Sequence, residues 1–420
     1  MSTAMFRLGG DPDEYPDHDS LPHHWIFDGL NFDGVPVSMG PETGIGLIVN
    51  AVDVAVMNGS MLGFKAGGKD TQAILGANGT RRLLVHNMDL EASGEIIMFG
   101  GAASGGPEMT PEDILIHKCR MNRGQYMIDD VREDGRFKWA IKNIFELKDG
   151  IRVHVHGCEM KNNPAYAQHG YAIVLTPRGG PPVYDENGQV INLEEGVRLQ
   201  KNPYCQVRDV LIEHIRGENW GQGINLMGGD TNGLGWYGEQ IQLSQNIVFH
   251  NWEVNNLGAY GNRTARLLQL LVQNRYITLD GLTMRKVPRT PETAEDYYNW
   301  LVFDPKDVLQ TPLGNWKLGG KWSGPANRNF VMRNVSGDIG KYGHVGGSSE
   351  PNSGPADAIR QKIDNNLPGA LFEKLHYHSP NGREWRYEEP WLAAAMDFYD
   401  EPADLPAVHD EAALVEALTV

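Results

Sequence analysis

Four side chains have types and spacing that could do chemistry: Asp129, Asp130 and Arg132 within the run IDDVREDGRFKW, and Arg178 at the end of GYAIVLTPR. Adjacent acids beside a guanidinium can hold a calcium ion and supply a cationic base, the set an eliminating lyase needs at an acidic sugar. Carboxylates held apart can instead serve as acid and nucleophile in glycoside hydrolysis. The same run carries Glu133, Asp134, Arg136 and Lys138, so it also reads as a solvated, charged loop tip. Arg178 stands before Gly179 and Gly180, where a guanidinium binds a carboxylate or hydrogen-bonds loop carbonyls. Tyr166, Tyr171, Trp220, Trp236, Tyr237, Tyr297, Tyr298, Trp316 and Trp322 lie in or beside the same loops. Aromatic faces stack on sugar rings, but they also cover apolar surface. There is no GxSxG, HExxH, Walker or Rossmann fingerprint.

These residues hang on a repeat. An eight-residue pattern (apolar, any, apolar, any, turn residue, apolar, any, apolar or small) starts at Trp25, Val54, Leu83, Ile114, Val153, Val210, Ile247, Ile277 and Phe330. Two short period-2 strands meeting at a bend have this signature, and its recurrence indicates a stacked solenoid. The first and third positions, such as Val54/Val56, Ile114/Ile116 and Ile247/Phe249, should fill the interior. The fifth position is Gly or Asn in all copies but two, where it is Lys118 and His214. Gly and Asn best tolerate a left-handed backbone, so a bend is expected at this place. A third strand follows most copies, in Ile45–Val49, Ala73–Leu75, Ile96–Phe99, Asn143–Leu147, Tyr171–Leu175, Gly223–Met227, Arg266–Leu271 and Trp300–Phe303. Three strands per coil predict an all-β fold, a right-handed parallel β-helix of about nine coils. The shortest spacing between copies is 29 residues, so longer ones must eject loops, the largest being 122–142, 176–207, 285–299 and 304–329.

Stacking turns positions into ladders. The seventh position alternates in sign through Asp89, Arg120, Glu159, Arg216 and Glu253, which suits a structural charge ladder. The fourth carries His86, His117, His156, Glu213 and His250, either a metal stripe or solvated turn residues. A single straight row wraps a tetrahedral ion poorly, which favours the second reading. The second position should face outward yet holds Ile26, Ala55, Leu84, Leu115, Leu211, Val248 and Val331, with only His154 and Thr278 polar. A stripe this apolar needs cover, from a loop, the C-terminal segment or another subunit.

Three segments resemble a known family: GEIIMFGGA (Gly94–Ala102), WAIKNIFELKDGIRVHVHGCEMKNN (Trp139–Asn163) and GYAIVLTPR (Gly170–Arg178). The chain resembles the bacterial right-handed parallel β-helix repeat proteins, with their W-x-x-K-N-x-F-E-L-K run, over roughly residues 22–340. More distantly this implies the pectate-lyase-like superfamily of polysaccharide lyases, glycoside hydrolases, epimerases and phage tailspikes. The calcium-binding acids and catalytic arginine of pectate lyases find no clear counterpart.

Formal charge is −17, which disfavours nucleic acid and anionic membranes as partners but not polysaccharides. Cys119, Cys158 and Cys205 are too few for a disulfide framework, and the first two share an inward ladder. The start lacks a basic region followed by an apolar stretch, and no run reaches transmembrane length, so the expectation is a virion-associated protein or one exported without a Sec signal, a cytoplasmic one remaining open. Residues 1–21, rich in Asp, Pro and His, read as an irregular lead-in, 22–340 as the solenoid, and 341–420 as a linker with helix-like capping or docking pieces (PADAIRQKID, EPWLAAAMDFYD, DEAALVEALTV). Two functions compete. One is a structural or glycan-binding β-helix, such as a tail spike, fibre or capsid decoration protein, forming a homo-oligomer. The other is a lyase or hydrolase acting from Asp129, Asp130, Arg132 and Arg178. No cofactor is predicted, although calcium suits the acidic clusters.

Overall fold

A computed structural model describes residues 3–34, 43–102, 104–164, 166, 170–177, 205–228, 243–260, 266–270, 274–286, 301–303, 328–338, 370–378, 384–387 and 391–392. The chain is a parallel β-helix with three strands to the coil. Nine third-arm strands form one parallel sheet running from Thr3–Leu8 to Leu301–Phe303. The other two arms join in an 18-stranded array, because the last coils run through the bend as single long strands such as Leu243–Leu257 and Asn274–Lys286. All eight expected third strands are present. No helix among the described residues is long and apolar enough to cross a membrane.

The register follows the octad. Val54, Leu83, Ile114, Val153, Val210, Ile247, Ile277 and Phe330 stack in one inward ladder, and all are at most 1% exposed. Trp25, which pairs with Val54 in the first described coil, is 42% exposed. Every fifth position is left-handed, including Lys118 and His214 with φ of 53°. Two further bends were not evident from the sequence. The residue before each octad is also left-handed, as in Asp53, Arg82, Asp113, Arg152 and Asp209. These build a charged ladder, with Arg82 donating to Asp53 (2.7 Å) and Arg152 to Asp113 (2.6 Å). At the end of the second arm, left-handed Asn162, Asn219 and Asn256 pass side-chain hydrogen bonds along the axis at 3.1 Å each.

Three expectations need correction. The lead-in is not wholly irregular: Thr3–Leu8 is a strand of the first coil, pairing with Thr43–Val49. The repeat does not end at 340, because Leu371–His378 stacks in register on Arg328–Asp338 as a tenth coil. Its octad starts on Ala370 and bends at Lys374 (φ 49°), so both the apolar and the turn signal were weak there. The start of EPWLAAAMDFYD is not helical, since Trp391–Leu392 pairs antiparallel with this coil, as does Glu384–Tyr387. Antiparallel strands can cover a sheet edge without adding another coil. The linker at 340–355, the helix-like segments 355–364 and 410–420, and the loops 285–299 and 304–329 lie almost wholly outside the described residues.

Most of the outward apolar stripe is buried within one chain, Ile26 and partly buried Val331 at its two ends excepted. Ala55, Leu84 and Leu115 are at most 1% exposed and form a cluster of their own with Met57 packed against it, and Leu211 and Val248 are also buried. A second subunit is therefore not needed to explain the stripe. The exposed apolar side chains of the first coil are Trp25, Ile26 and Leu30.

The W-x-x-K-N-x-F-E-L-K run is coil architecture. Phe145 and Leu147 point into the core, and buried Asn143 donates to the Tyr171 carbonyl (2.7 Å). Glu146 and Glu95, both at most 1% exposed, meet on the outer face under Lys148 (3.5 Å from Glu146) and Lys142 (3.1 Å from Glu95). Two carboxyls this enclosed cannot reach a polymeric substrate.

Candidate functional site

The predicted loop residues form no common cleft among the described residues. Gln125–Asp129 is a single helical turn, followed by a small hairpin closed by a bridge between Val131 and Phe137. Asp129 is exposed and accepts from Gln125 (2.7 Å), while half-buried Asp130 pairs with Lys138 (3.2 Å). Arg132 is exposed and reaches only the Gly67 carbonyl, at 3.4 Å. Arg178 lies outside the described residues, as do Trp236, Tyr237, Tyr297, Tyr298, Trp316 and Trp322. Tyr171 and Trp220 are buried, and only Tyr166 is an exposed aromatic of the predicted set, edge-on to Phe137 at 5.2 Å.

A different feature follows from the fifth-position bend. The two arms it joins leave an open groove of about 580 Å³ across five coils. Its floor is the bend ladder Lys118, Gly157, His214, Asn251 and Gly281, and its wall is the charge ladder Arg120, Glu159, Arg216 and Glu253. The strands hold these acids and bases in register, Arg120 beside Glu159, Glu159 beside Arg216, and Arg216 beside Glu253. Arg120 also binds Asp89 through two short charge-assisted hydrogen bonds. Gly157 keeps the floor open, since a Cβ there would meet only Lys118, at 3.8 Å. In a chain of net charge −17 the groove holds Lys118, Arg120 and Arg216 against two glutamates.

The backbone marks the same place. A non-glycine residue in the left-handed region costs roughly 1–2 kcal/mol, with Asn among the least penalised. At the fifth-position bend, Lys118, His214 and Lys374 are the residues that are neither Gly nor Asn, and the first two line the groove; the bend before each octad carries such residues too, among them Arg82, Asp113 and Arg152.

Beside the groove the histidine row becomes a cluster. His86 and His117 approach through their Nδ1 atoms at 3.0 Å, and ring centroids continue at 5.3 Å to His156 and 5.1 Å to His214. His154 lies two residues before His156 on the same strand, hence on the same face, with the rings stacked 5.6 Å apart. Its Nε2 is 3.0 Å from Glu213 Oε1, and His250 Nδ1 is 3.4 Å from Glu213 Oε2. Burial opposes ionisation of Glu213, but the hydrogen bonds from His154 and His250 outweigh it and hold the carboxyl below the ordinary glutamate range. Among the described residues, the groups of three donors close enough to share a metal ion are His154/His156/Glu213 and Glu213/His214/His250. Both contain nitrogen donors, so neither is the all-oxygen set that calcium prefers. The fourth-position row alone did not reveal this convergence. The available signals were His154 in a slot that is apolar in neighbouring coils, and His214 in a slot that is usually Gly or Asn.

No family model matches this chain, and a search of curated proteins returned no match.

Proposed function

We propose that this protein is a glycan-binding β-helix that receives a linear polysaccharide along the groove at its bend. The observation that carries this reading is the use of left-handed Lys118 and His214 where every other coil but the tenth places Gly or Asn, both lining the groove. Five rungs span four spacings, about 19 Å, long enough for several consecutive sugar rings. Lys118, Arg120, Arg216 and Asn251 offer donors at the rung spacing, and Glu159 and Glu253 offer acceptors to hydroxyls. The family resemblance in Trp139–Asn163 supports placement among the right-handed parallel β-helix repeat proteins, and a role on a virion or cell surface accords with a rigid rod that carries its ligand lengthwise.

An enzymatic reading from the predicted acids has less support, because Asp129 and Asp130 are engaged by Gln125 and Lys138 rather than by a shared space. The test is calorimetric titration with oligogalacturonates and neutral cello-oligosaccharides, alongside assays for new reducing ends and unsaturated products. Binding should be saturable, strengthen with chain length and fall about tenfold in Arg216→Ser, the loss of roughly 1.4 kcal/mol expected for one charge-assisted hydrogen bond. Binding indifferent to Arg216 and Lys118 would refute the groove, and product formation abolished by Asp130→Asn would restore the loop enzyme.

A further inference from the structure

We propose that His154, His156 and Glu213 form a binding site for a divalent transition-metal ion of the zinc type, a role that goes beyond glycan binding. The three ligand atoms lie within 4.8 Å of one another. A tetrahedral zinc ion with bonds of about 2.0–2.1 Å needs ligand atoms about 3.3 Å apart. His154 Nε2 and Glu213 Oε1, 3.0 Å apart, already lie near that spacing, and the His156 ligand atom is within 4.8 Å of both. The ligands stand on two adjacent strands whose register places His156 beside Glu213 and His154 beside Leu211. The backbone positions are thus fixed by the sheet before any ion arrives.

Two imidazoles and one carboxylate suit zinc, cobalt, nickel or copper(II) and suit calcium or magnesium poorly. Three protein ligands leave a fourth position for water or a ligand donor. His250, on the second oxygen of Glu213, would orient the carboxylate from outside the coordination sphere. The placement of His154 argues against a casual surface cluster. Its slot holds Ala55, Leu84, Leu115, Leu211 or Val248 in other coils, with Thr278 the other polar occupant, and His154 is itself only 4% exposed. Burying an imidazole where the ladder otherwise places an aliphatic group costs stability unless it gains a strong partner.

The experiment is titration of the full, chelator-treated chain with Zn²⁺ against a chromogenic competitor, repeated with Co²⁺, whose tetrahedral complexes show an intense visible band. One equivalent should bind, and the Co²⁺ band should appear with it. His154→Leu restores the residue type of the neighbouring rungs, so it removes a ligand without opening the ladder. It and Glu213→Gln should each weaken binding by about 100-fold or more, and His250→Asn by roughly tenfold. His86→Asn, on the same row but outside the set, should leave affinity unchanged. Absence of stoichiometric binding, or binding that survives His154→Leu, overturns the site. The readout needs no glycan, so its failure is separate from failure of the groove.

Discussion

Replacing Arg123 by Met should unfasten the corner where the second arm turns into the third. Arg123 is 1% exposed and donates four hydrogen bonds, to the carbonyls of Ser93 (3.2 Å), Gly94 and Asn143 and to Asn163 Oδ1. Those acceptors belong to segments 20–40 residues away, so one side chain ties four stretches of chain. Burial pushes its guanidinium down to about 9, so it is still charged at neutral pH. Met keeps most of the volume but none of the donors. Leaving buried acceptors unpaired costs about 1–3 kcal/mol each where water cannot enter. Some relaxation will rescue part of that, and removing one partner of a buried charged network typically costs about 3–5 kcal/mol. We therefore expect about 3–5 kcal/mol, which corresponds to two to three and a half powers of ten in the local opening constant. Because a solenoid's stability is a sum of coil and interface terms, the loss should concentrate in the coils around Arg123. Hydrogen exchange read by mass spectrometry resolves this: amides in Ile97–Phe99 and Phe145–Leu147 should lose protection, while those in Asn274–Lys286 should not. Arg123→Lys, which keeps the charge but not the fork, should fall between wild type and Met. A loss below about 1 kcal/mol for Met, or a uniform loss along the rod, would refute the reasoning.

Two further outcomes bear on assembly and on pH. Leu115→Ala, in the outward stripe, should cost about 2–5 kcal/mol in urea denaturation without changing the mass seen by light scattering, because Leu115 is buried within the single chain. A change of oligomeric state at unchanged stability would contradict that. Burial, with neighbouring Glu95 adding to it, pushes Glu146 up to about 7 from an ordinary 4.5. Between those values the unfolded chain has released a proton that the folded chain still holds, so stability should fall as pH rises through this window and level off above it. Asp149, also buried and raised to about 7, acts in the same direction, so Glu146→Gln should reduce the slope of melting temperature against pH without abolishing it. Glu213, whose carboxyl is held low, works in the opposite sense: its contribution is present above 4.5 and is lost as pH falls through its folded value. A slope unchanged by Glu146→Gln would show that the residue titrates normally.

The coil was legible in the sequence because its determinants are local and repeated. Val54, Leu83 and Ile114 recur at the same octad position, and Asn58, Asn87 and Gly157 recur at the bend, so each rung states its own geometry and the stack follows by burying identical faces. The tenth rung escaped notice because Ala370 and Lys374 are weak versions of those signals, yet a preformed edge imposes its register on a weak copy. The site was not legible for a related reason. A one-dimensional pattern shows which residues share a ladder but not how closely side chains of neighbouring ladders approach. His154, Glu213 and His250 come from second and fourth positions on three different rungs, and His214 comes from the bend itself. Those rows meet because second and fourth positions share one face of the sheet and the register sets His156 and His250 on either side of Glu213. Likewise Asp129, Asp130 and Arg132 are close in sequence, but a single helical turn and a two-stranded hairpin direct them to separate partners. Local periodicity therefore determined the fold of this chain, while the approach of side chains from neighbouring ladders, a property of strand stacking and register, was decided only by the tertiary structure.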